Sequence, residues 1–247
     1  RKTESATVPF IYREKGRAMR KYYGVVQYGN YCVGCAGQTV YVSDGQGAEI
    51  ARLKDISYAY AAAFSPDGSL LAVRSTTACF AFYAPPEFQL VQKVRMRRPN
   101  NQPQDEGFCF SPDGSLFWSL EYQNDLTTHL VQYDTKTFAE TGRFFENERY
   151  VFSHIEPNAE GGYDLLGFRR EPEADNNSHL LTRFDGEQIV SQTPLSASVY
   201  ERAHRHKKVE LCGFTERMHE IWMLEERFKV PVPLAALCGG TINSSQE

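Results

Sequence analysis

The chain has 247 residues, of which 41% are hydrophobic and 23% are charged, and this composition excludes a largely disordered protein. Its formal net charge of −4 provides no global field that would attract nucleic acid, so no nucleic-acid partner is expected. No stretch approaches the roughly 20 apolar residues of a membrane-spanning helix, so no membrane span is expected either. The 14 Tyr and 16 Phe favour strands, because aromatic side chains pack well on a pleated sheet.

Residues 1–23 form a basic N-terminal segment, in which seven Lys or Arg stand against two Glu. We expect a solvated lead-in, with a contact to an anionic partner as the alternative. The stretch ATVPFIY at 6–12 is a candidate strand for closing a ring of sheets, which would remove an exposed first-to-last seam. The segment has no apolar signal core, and a trimmed upstream signal or anchor stays an open alternative.

The heptapeptide FSPDGSL occurs at residues 64–70 and again at 110–116. Ser and Pro suit the first two positions of a β-turn, and Gly supplies the left-handed conformation with which a hairpin re-enters its ladder. Apolar runs flank both copies, so each predicts strand, tight turn and strand. A longer turn near Pro157, about one repeat length after the second heptapeptide, is predicted to be the next hairpin turn. One period further on, VYERAHRHKKVELCGF at 199–214 is predicted to be another strand pair.

A second pair of strands follows each hairpin in phase. These pairs are predicted at 39–53, 79–94, 129–144, 179–190 and 219–232. Five units of four short strands indicate an all-β fold, a β-propeller of four-stranded blades, over residues 24–233. Five blades are expected, and six are the alternative if 1–23 and the C-terminal tail 234–247 add a sheet.

The stretch FSPDGSLLA, followed by an apolar-aromatic-Asp strand end and a short turn, resembles the WD40-like propeller repeats. The resemblance covers five units and is closest at 64–70 and 110–116. The Gly-His and Trp-Asp dipeptides of WD40 blades are absent, and VSD, QYD and RFD stand where Trp-Asp would be, which leaves other bacterial propeller repeats open as the nearer group. The resemblance implies a propeller that binds through the loops between blades and those joining the second and third strands of each blade.

Motifs for catalysis or metal binding have little support in this sequence. Cys32 and Cys35 form a CxxC within a strand pattern, where residues i and i+3 point to opposite faces, so we expect buried thiols and no redox or zinc site. His204 and His206 stand among basic residues, which favours a solvated turn over a metal site. No nucleophile elbow, P-loop or dinucleotide-binding pattern occurs, so we expect no cofactor and no metal, and catalytic residues cannot be assigned. Six Cys are too few for a disulfide-stapled scaffold and favour a reducing, cytoplasmic compartment.

The predicted binding loops are 95–107, 121–128 and 168–178, which carry Arg and Tyr, residues that often anchor interfaces. The candidate binding residues are Arg74, Arg95, Arg97, Arg98, Tyr122, Asp125, Arg169, Arg170 and Glu171.

We predict a non-enzymatic protein- or peptide-interaction module. The alternatives are a propeller hydrolase or lyase acting on glycans or peptides through a central polar pocket, and a small-ligand sensor domain of a larger protein. A pair of carboxylates within ~5–10 Å of each other on the loop face would favour the enzyme. A shallow face with exposed aromatic and Arg side chains would favour the interaction module.

Overall fold

The computed structural model of the chain describes residues 22–97, 102, 107–170, 178–212 and 231–239. These residues form sixteen strands, arranged as four antiparallel sheets of four strands each, and two helices. This architecture confirms the predicted all-β class and the repeated four-stranded unit. The candidate strand at 6–12 lies outside the described residues.

Each sheet is built from four consecutive strands in chain order. The first sheet contains β1 (Gly24–Tyr28), β2 (Tyr31–Cys35), β3 (Val40–Asp44) and β4 (Glu49–Leu53). The second contains β5 (Ala59–Phe64), β6 (Leu71–Ser75), β7 (Cys79–Ala84) and β8 (Gln89–Arg95). The third contains β9 (Phe108–Phe110), β10 (Leu116–Tyr122), β11 (Thr128–Asp134) and β12 (Glu140–Phe144). The fourth contains β13 (Tyr150–Pro157), β14 (Tyr163–Arg169), β15 (Ser178–Phe184) and β16 (Ile189–Pro194).

The first strand of each sheet is the innermost. Strand β1 contacts β5, β5 contacts β9, and β9 contacts β13, whereas the fourth strands β8 and β16 are largely exposed. Glycines permit the close approach, because a side chain at Gly24 would collide with the carbonyl oxygen of Tyr60 in β5. A side chain at Gly107, just before β9, would meet the backbone of His154 in β13 at 3.0 Å. The sheets therefore pack against one another in sequence order, along their first strands.

Apolar clusters fill the spaces between consecutive sheets. The cluster between the second and third sheets is mainly aromatic, and the rings of Phe80 and Phe117 pack edge to face with centroids 4.9 Å apart. Between the third and fourth sheets, Trp118 packs on Tyr163 at the same centroid distance. Such pairs contribute about 0.5–1.5 kcal/mol beyond the burial of their area. The high aromatic content thus holds the sheets together.

The two copies of FSPDGSL form the predicted hairpin turns, β5–β6 and β9–β10. In the first copy, the Asp67 carboxylate accepts hydrogen bonds from the Ser65 hydroxyl (2.7 Å) and the Ser69 amide (3.0 Å). Gly68 has a φ of +73°, in the left-handed region that the turn requires. The second copy repeats these contacts at 2.6 and 3.1 Å, with the same φ at its glycine. The same seven residues recur because the same turn recurs.

The predicted strand pair at 199–214 is wrong. Helix α1 spans Ala197–Cys212, and the Ser196 hydroxyl caps its first turn by accepting the Val199 N–H. The residues that it buries, Tyr200, Ala203 and Lys207, follow the spacing of a helix.

Helix α1 packs against the first strands β1, β5 and β13. Helix α2 (Leu234–Gly239) begins the predicted C-terminal tail and packs on α1. Residues 213–230, where the fifth unit would continue, lie outside the described residues. None of the described helices is both long and apolar enough to cross a membrane.

The strand order gives each sheet two distinct ends. The hairpin end carries the turns that join strands one to two and three to four: 29–30, 45–48, 65–70, 85–88, 111–115, 135–139, 158–162 and 185–188. The loop end carries the other connections, of which these parts are described: 36–39, 54–58, 76–78, 96–97, 102, 107, 123–127, 145–149 and 170. Neighbouring sheets are aligned, because the Tyr28 hydroxyl beside one turn donates to the Pro66 carbonyl in the next.

Candidate interaction surface

The loop end holds six of the nine candidate binding residues. They are Arg95, Arg97, Tyr122, Asp125, Arg169 and Arg170, each at a strand terminus or in the loop beside it. Arg98 and Glu171 lie outside the described residues. The structure therefore places the six where the topology predicts them, and their binding role stays a prediction.

These residues differ in how much of each side chain is available. Arg95 and Arg169 are exposed. The Arg97 side chain is 69% exposed and reaches Glu140 of β12, with an N···O distance of 3.5 Å. The Asp125 carboxylate shapes its own loop, because the Thr127 hydroxyl and amide donate to it at 2.6 and 3.1 Å. The hydroxyl contact, outweighing partial burial, lowers the pKa of Asp125.

The expected loop position of Arg74 is wrong. Arg74 lies within β6 and is fully buried, where its guanidinium donates to the carbonyl oxygens of Gly107 (3.2 Å) and Leu120 (2.6 Å). Its Cζ also lies 5.4 Å from the ring centroid of Phe80 and 5.8 Å from that of Phe108. Burial is possible because both the charge and the donors find partners between the second and third sheets. Arg74 supports the loop end from beneath.

A polar network continues this support into the third sheet. Glu121, at the end of β10, is buried and accepts a 2.5 Å hydrogen bond from the Tyr133 hydroxyl. Burial raises the pKa of Glu121, against the opposing effects of that hydrogen bond and the nearby Arg143 and Arg74 charges. The Arg143 guanidinium lies 3.5 Å from Glu121 and forms two 2.9 Å bonds with Glu140. Because Glu121, Arg143 and Glu140 bind one another, we interpret them as stabilising the loops of the third sheet.

The sequence reasoning missed two exposed apolar residues at the loop end, Tyr58 and Leu126. Tyr58 is 57% exposed and Leu126 is 45% exposed. Both have a left-handed backbone, with φ values of +56° and +67°. A single apolar residue inside an otherwise polar loop, as in QNDLTT at 123–128, is the sequence signal that could have marked Leu126.

Hydrogen bonds connect these two residues across the loop end. The Thr76 amide donates to the Tyr58 carbonyl (3.2 Å), and the Gln102 amide donates to the Thr76 carbonyl (2.8 Å). The Gln102 carboxamide then pairs with the Tyr122 backbone through both its oxygen (2.8 Å) and its nitrogen (3.0 Å). Tyr122 closes β10 and leads into the loop that carries Leu126. The surface between Tyr58 and Leu126 is thus supported by one continuous chain of bonds.

A cavity of about 210 Å³ opens at the loop end between the first and second sheets. Eight of the described residues line it: Tyr23, Ala36, Gly37, Gln38, Tyr58, Ala59, Tyr60 and Thr76. None of them is charged. The cavity lies at one end of the chain of bonds described above, since Tyr58 and Thr76 belong to both.

A second polar cluster lies between β13 and α1, away from the loop end. The ammonium of Lys207, only 2% exposed, contacts Glu156 at 2.6 Å and Glu210 at 2.8 Å. His154 lies 3.5 Å from Glu156, and His206 bonds Glu210 at 2.9 Å. Burial by itself would raise the pKa of Glu156, but the bonds from His154, Lys207 and the backbone lower it to about 2. Burial lowers the pKa of His154.

This cluster brings two carboxylates together, yet it does not suit acid–base catalysis. Glu156 and Glu210 both hold the same ammonium group of Lys207. A general acid at neutral pH needs a raised pKa, whereas that of Glu156 is about 2. The arrangement instead attaches α1 to the first strand of the fourth sheet.

Metal ligands are not grouped in the described residues, where no three His, Cys, Asp or Glu side chains could hold one ion together. Cys32 and Cys35 are buried in β2, as the strand pattern predicts. No family model matches the chain, and none of the curated proteins matches it.

Proposed function

We propose that the chain is a cytoplasmic, WD40-like propeller that binds a protein or peptide partner through its loop end. Its four described sheets serve as blades, with the first strands around the centre, and helix α1 stands where the first hairpin of a fifth blade was predicted. Support for this arrangement comes from the four sheets that pack in sequence order along their first strands. Binding then uses the loop end, which carries the longest connections between strands, since loops on a rigid scaffold often carry recognition.

The observation that carries the proposal is the exposure of Tyr58 and Leu126 on left-handed backbone. A left-handed conformation costs a residue other than Gly about 1–2 kcal/mol. Glycine would avoid that cost, and a polar residue would avoid exposing apolar surface. About half of each side chain lies outside the packing of the chain, since Tyr58 is 57% and Leu126 45% exposed. Contact with a partner would offset both costs, which is the usual relation between local strain and a binding site.

The exposed arginines also support partner binding at the loop end. Arg95 is the last residue of β8 and Arg97 follows the strand. Both flank the loop 76–78, because the Met96 amide between them donates to the Ala78 carbonyl. Tyr and Arg are both enriched among the residues that contribute most to binding at interfaces. A hydrolase would require a general acid of raised pKa, whereas the pKa of Glu156 is lowered to about 2.

The test is a selection of random displayed peptides on the purified chain, followed by affinity measurements of the enriched peptides. We expect Tyr58→Ala and Leu126→Ala each to weaken binding about tenfold or more, or about 1.4 kcal/mol. Val91→Ala is the matched control, since Val91 is also 45% exposed but lies on the outer strand β8. Its effect should stay within about twofold, as for other surface changes.

The proposal fails if the enriched peptides bind both loop-end variants as tightly as they bind the unchanged chain. It also fails if the Val91 variant loses as much affinity as the other two, because binding would then not be specific to the loop end. Thermal unfolding of each variant checks that lost binding does not reflect lost folding.

A further inference from the structure

The size of the loop-end cavity limits what it can hold. Its volume of about 210 Å³ is far above the ~10–15 Å³ that one water requires. It is below the roughly 300–1,000 Å³ of sites that enclose a whole drug-sized ligand or cofactor. A single amino-acid side chain is the occupant of the right size.

The described lining of the cavity carries no charged side chain. The eight residues contain neither an acidic nor a basic side chain. Three of their backbone N–H groups already bond within the lining: Gly37 donates to Ala59, Ala59 to Gly37, and Thr76 to Tyr58. An anion would find no cationic side chain among these residues, and a cation would find no carboxylate. Three tyrosines and two alanines leave an apolar interior.

The rim can bond a peptide backbone. The Gln38 carboxamide, the Thr76 hydroxyl and the Tyr58 hydroxyl make no hydrogen bond to another described residue. Gln38 and Tyr58 are exposed, and Thr76 is half-buried. These groups supply donors and acceptors around an apolar interior, which is how aromatic-lined grooves take aliphatic and proline side chains of peptides.

We infer that this cavity is the anchor pocket for one uncharged aliphatic side chain, Leu, Ile, Val or Pro, of a peptide bound across the loop end. The inference rests on the proposed function and names the partner chemistry that the site selects. Tyr58 belongs both to the pocket and to the surface between Tyr58 and Leu126, so the anchor would enter beside it. The rest of the peptide would extend over Thr76 towards Tyr122.

The experiment uses the peptides selected on the full chain, each with its residues changed one at a time to Ala and to Asp. We expect one aliphatic position at which Ala weakens binding about tenfold, the loss typical of a buried anchor, and at which Asp weakens it further. Ala36→Met fills the cavity and should weaken the parent peptide by a similar factor. The peptide whose anchor is Ala should lose little more on this variant, because the two changes remove the same contact.

Two further variants keep the outcome decisive. Thr76→Val preserves the shape of the wall and removes one rim hydroxyl, so it tests the site even if Ala36→Met folds poorly. Ala48→Met places the same added side chain in an exposed turn at the hairpin end, and should not change binding.

The inference is overturned if a charged residue proves to be the anchor. It is also overturned if Ala36→Met and Thr76→Val bind normally while Tyr58→Ala and Leu126→Ala do not. In that second case the loop end still binds peptides, and only the pocket assignment fails. Normal binding by all four variants would overturn the proposed function as well.

Discussion

Left-handed backbone at residues other than glycine occurs at both ends of the sheets, but among the described residues only the loop end has exposed side chains in this conformation. The loop end also has packed ones, Ala78 and Phe145. At the hairpin end, Phe88 has a φ of +54° and is only 3% exposed, with its ring 5.1 Å from that of Tyr31. Phe138 has a φ of +57° and packs on Phe82. At the loop end, Tyr58 and Leu126 adopt this conformation while exposed. Core packing explains the first pair of residues and does not explain the second.

The polar groups of the two ends differ in the same sense. The hairpin-end carboxylates of Asp67 and Asp113 are satisfied within their own turns by serine hydroxyls and amides. The loop end leaves Arg95 and Arg169 exposed to solvent. The two hairpin-end carboxylates thus bond within their own turns, whereas the two loop-end arginines are available to a partner. Substitutions at the two ends and a pH titration can test this difference.

The largest effect is expected beneath the loop end, at Arg74. Arg74→Ala removes the guanidinium donor to the Leu120 carbonyl and one of the two donors to the Gly107 carbonyl, and it removes a positive charge near buried Glu121. Breaking a buried ionic contact of this kind costs about 3–5 kcal/mol of unfolding free energy. Urea denaturation measures the loss. Arg97→Ala is the control, and its exposed ion pair should contribute no more than about 1 kcal/mol. Equal losses for the two variants would contradict the assignment of Arg74 as a support.

A change of intermediate size in the unfolding free energy is expected when glycine replaces a left-handed residue at each end. Phe88→Gly relieves the left-handed backbone but removes a buried ring, so the unfolding free energy should fall by about 2–4 kcal/mol. Leu126→Gly relieves the same conformation and removes only an exposed side chain. Its stability should stay level or rise by up to about 1 kcal/mol, although peptide binding weakens.

Denaturation of the two variants side by side makes this comparison, with peptide affinity measured on the Leu126 variant. If Leu126→Gly destabilises the chain as much as Phe88→Gly does, Leu126 is a packing residue and the contrast between the ends disappears.

The smallest effect concerns pH and the paired hairpin turns. Hydrogen bonds from Ser65 and Ser111, with those from Ser69 and Ser115, lower the pKa of Asp67 and of Asp113 to about 2. Both values lie below the ~3.9 of an unfolded Asp, so the stabilisation is complete above that pH and is lost as pH falls through about 2. Because both carboxylates are exposed and screened by solvent, each should contribute less than about 1 kcal/mol.

Carbon-13 NMR of the carboxyl groups between pH 6 and pH 1.5 follows both titrations. Midpoints near 2 are expected for Asp67 and Asp113 alike. A midpoint near 4 for either one would show that its turn lacks these bonds, and Ser111→Ala provides the control by raising the midpoint of Asp113 alone.

Much of the fold could be predicted because its signals are local. The FSPDGSL turns depend on the conformations of Pro and Gly and on bonds within five residues, so the sequence contains all that they need. The loop-end positions of Arg97 and Tyr122 follow from the alternation of antiparallel strands. The predicted strand pair at 199–214 failed because the repeat period was extended past the point where Tyr200, Ala203 and Lys207 adopt helical spacing.

The strands of residues 24–194, their tight turns and the end of the sheets to which each loop belongs could be predicted from the sequence, since these depend on neighbours along the chain. The burial of Arg74, the exposure of Tyr58 and the neutral cavity beside it could not be predicted in this way. Those outcomes depend on which sheet packs against which, and they bring together residues that lie far apart in sequence. The position of α1 on β13 was decided in the same way, by Glu156 and Lys207 meeting across the fold.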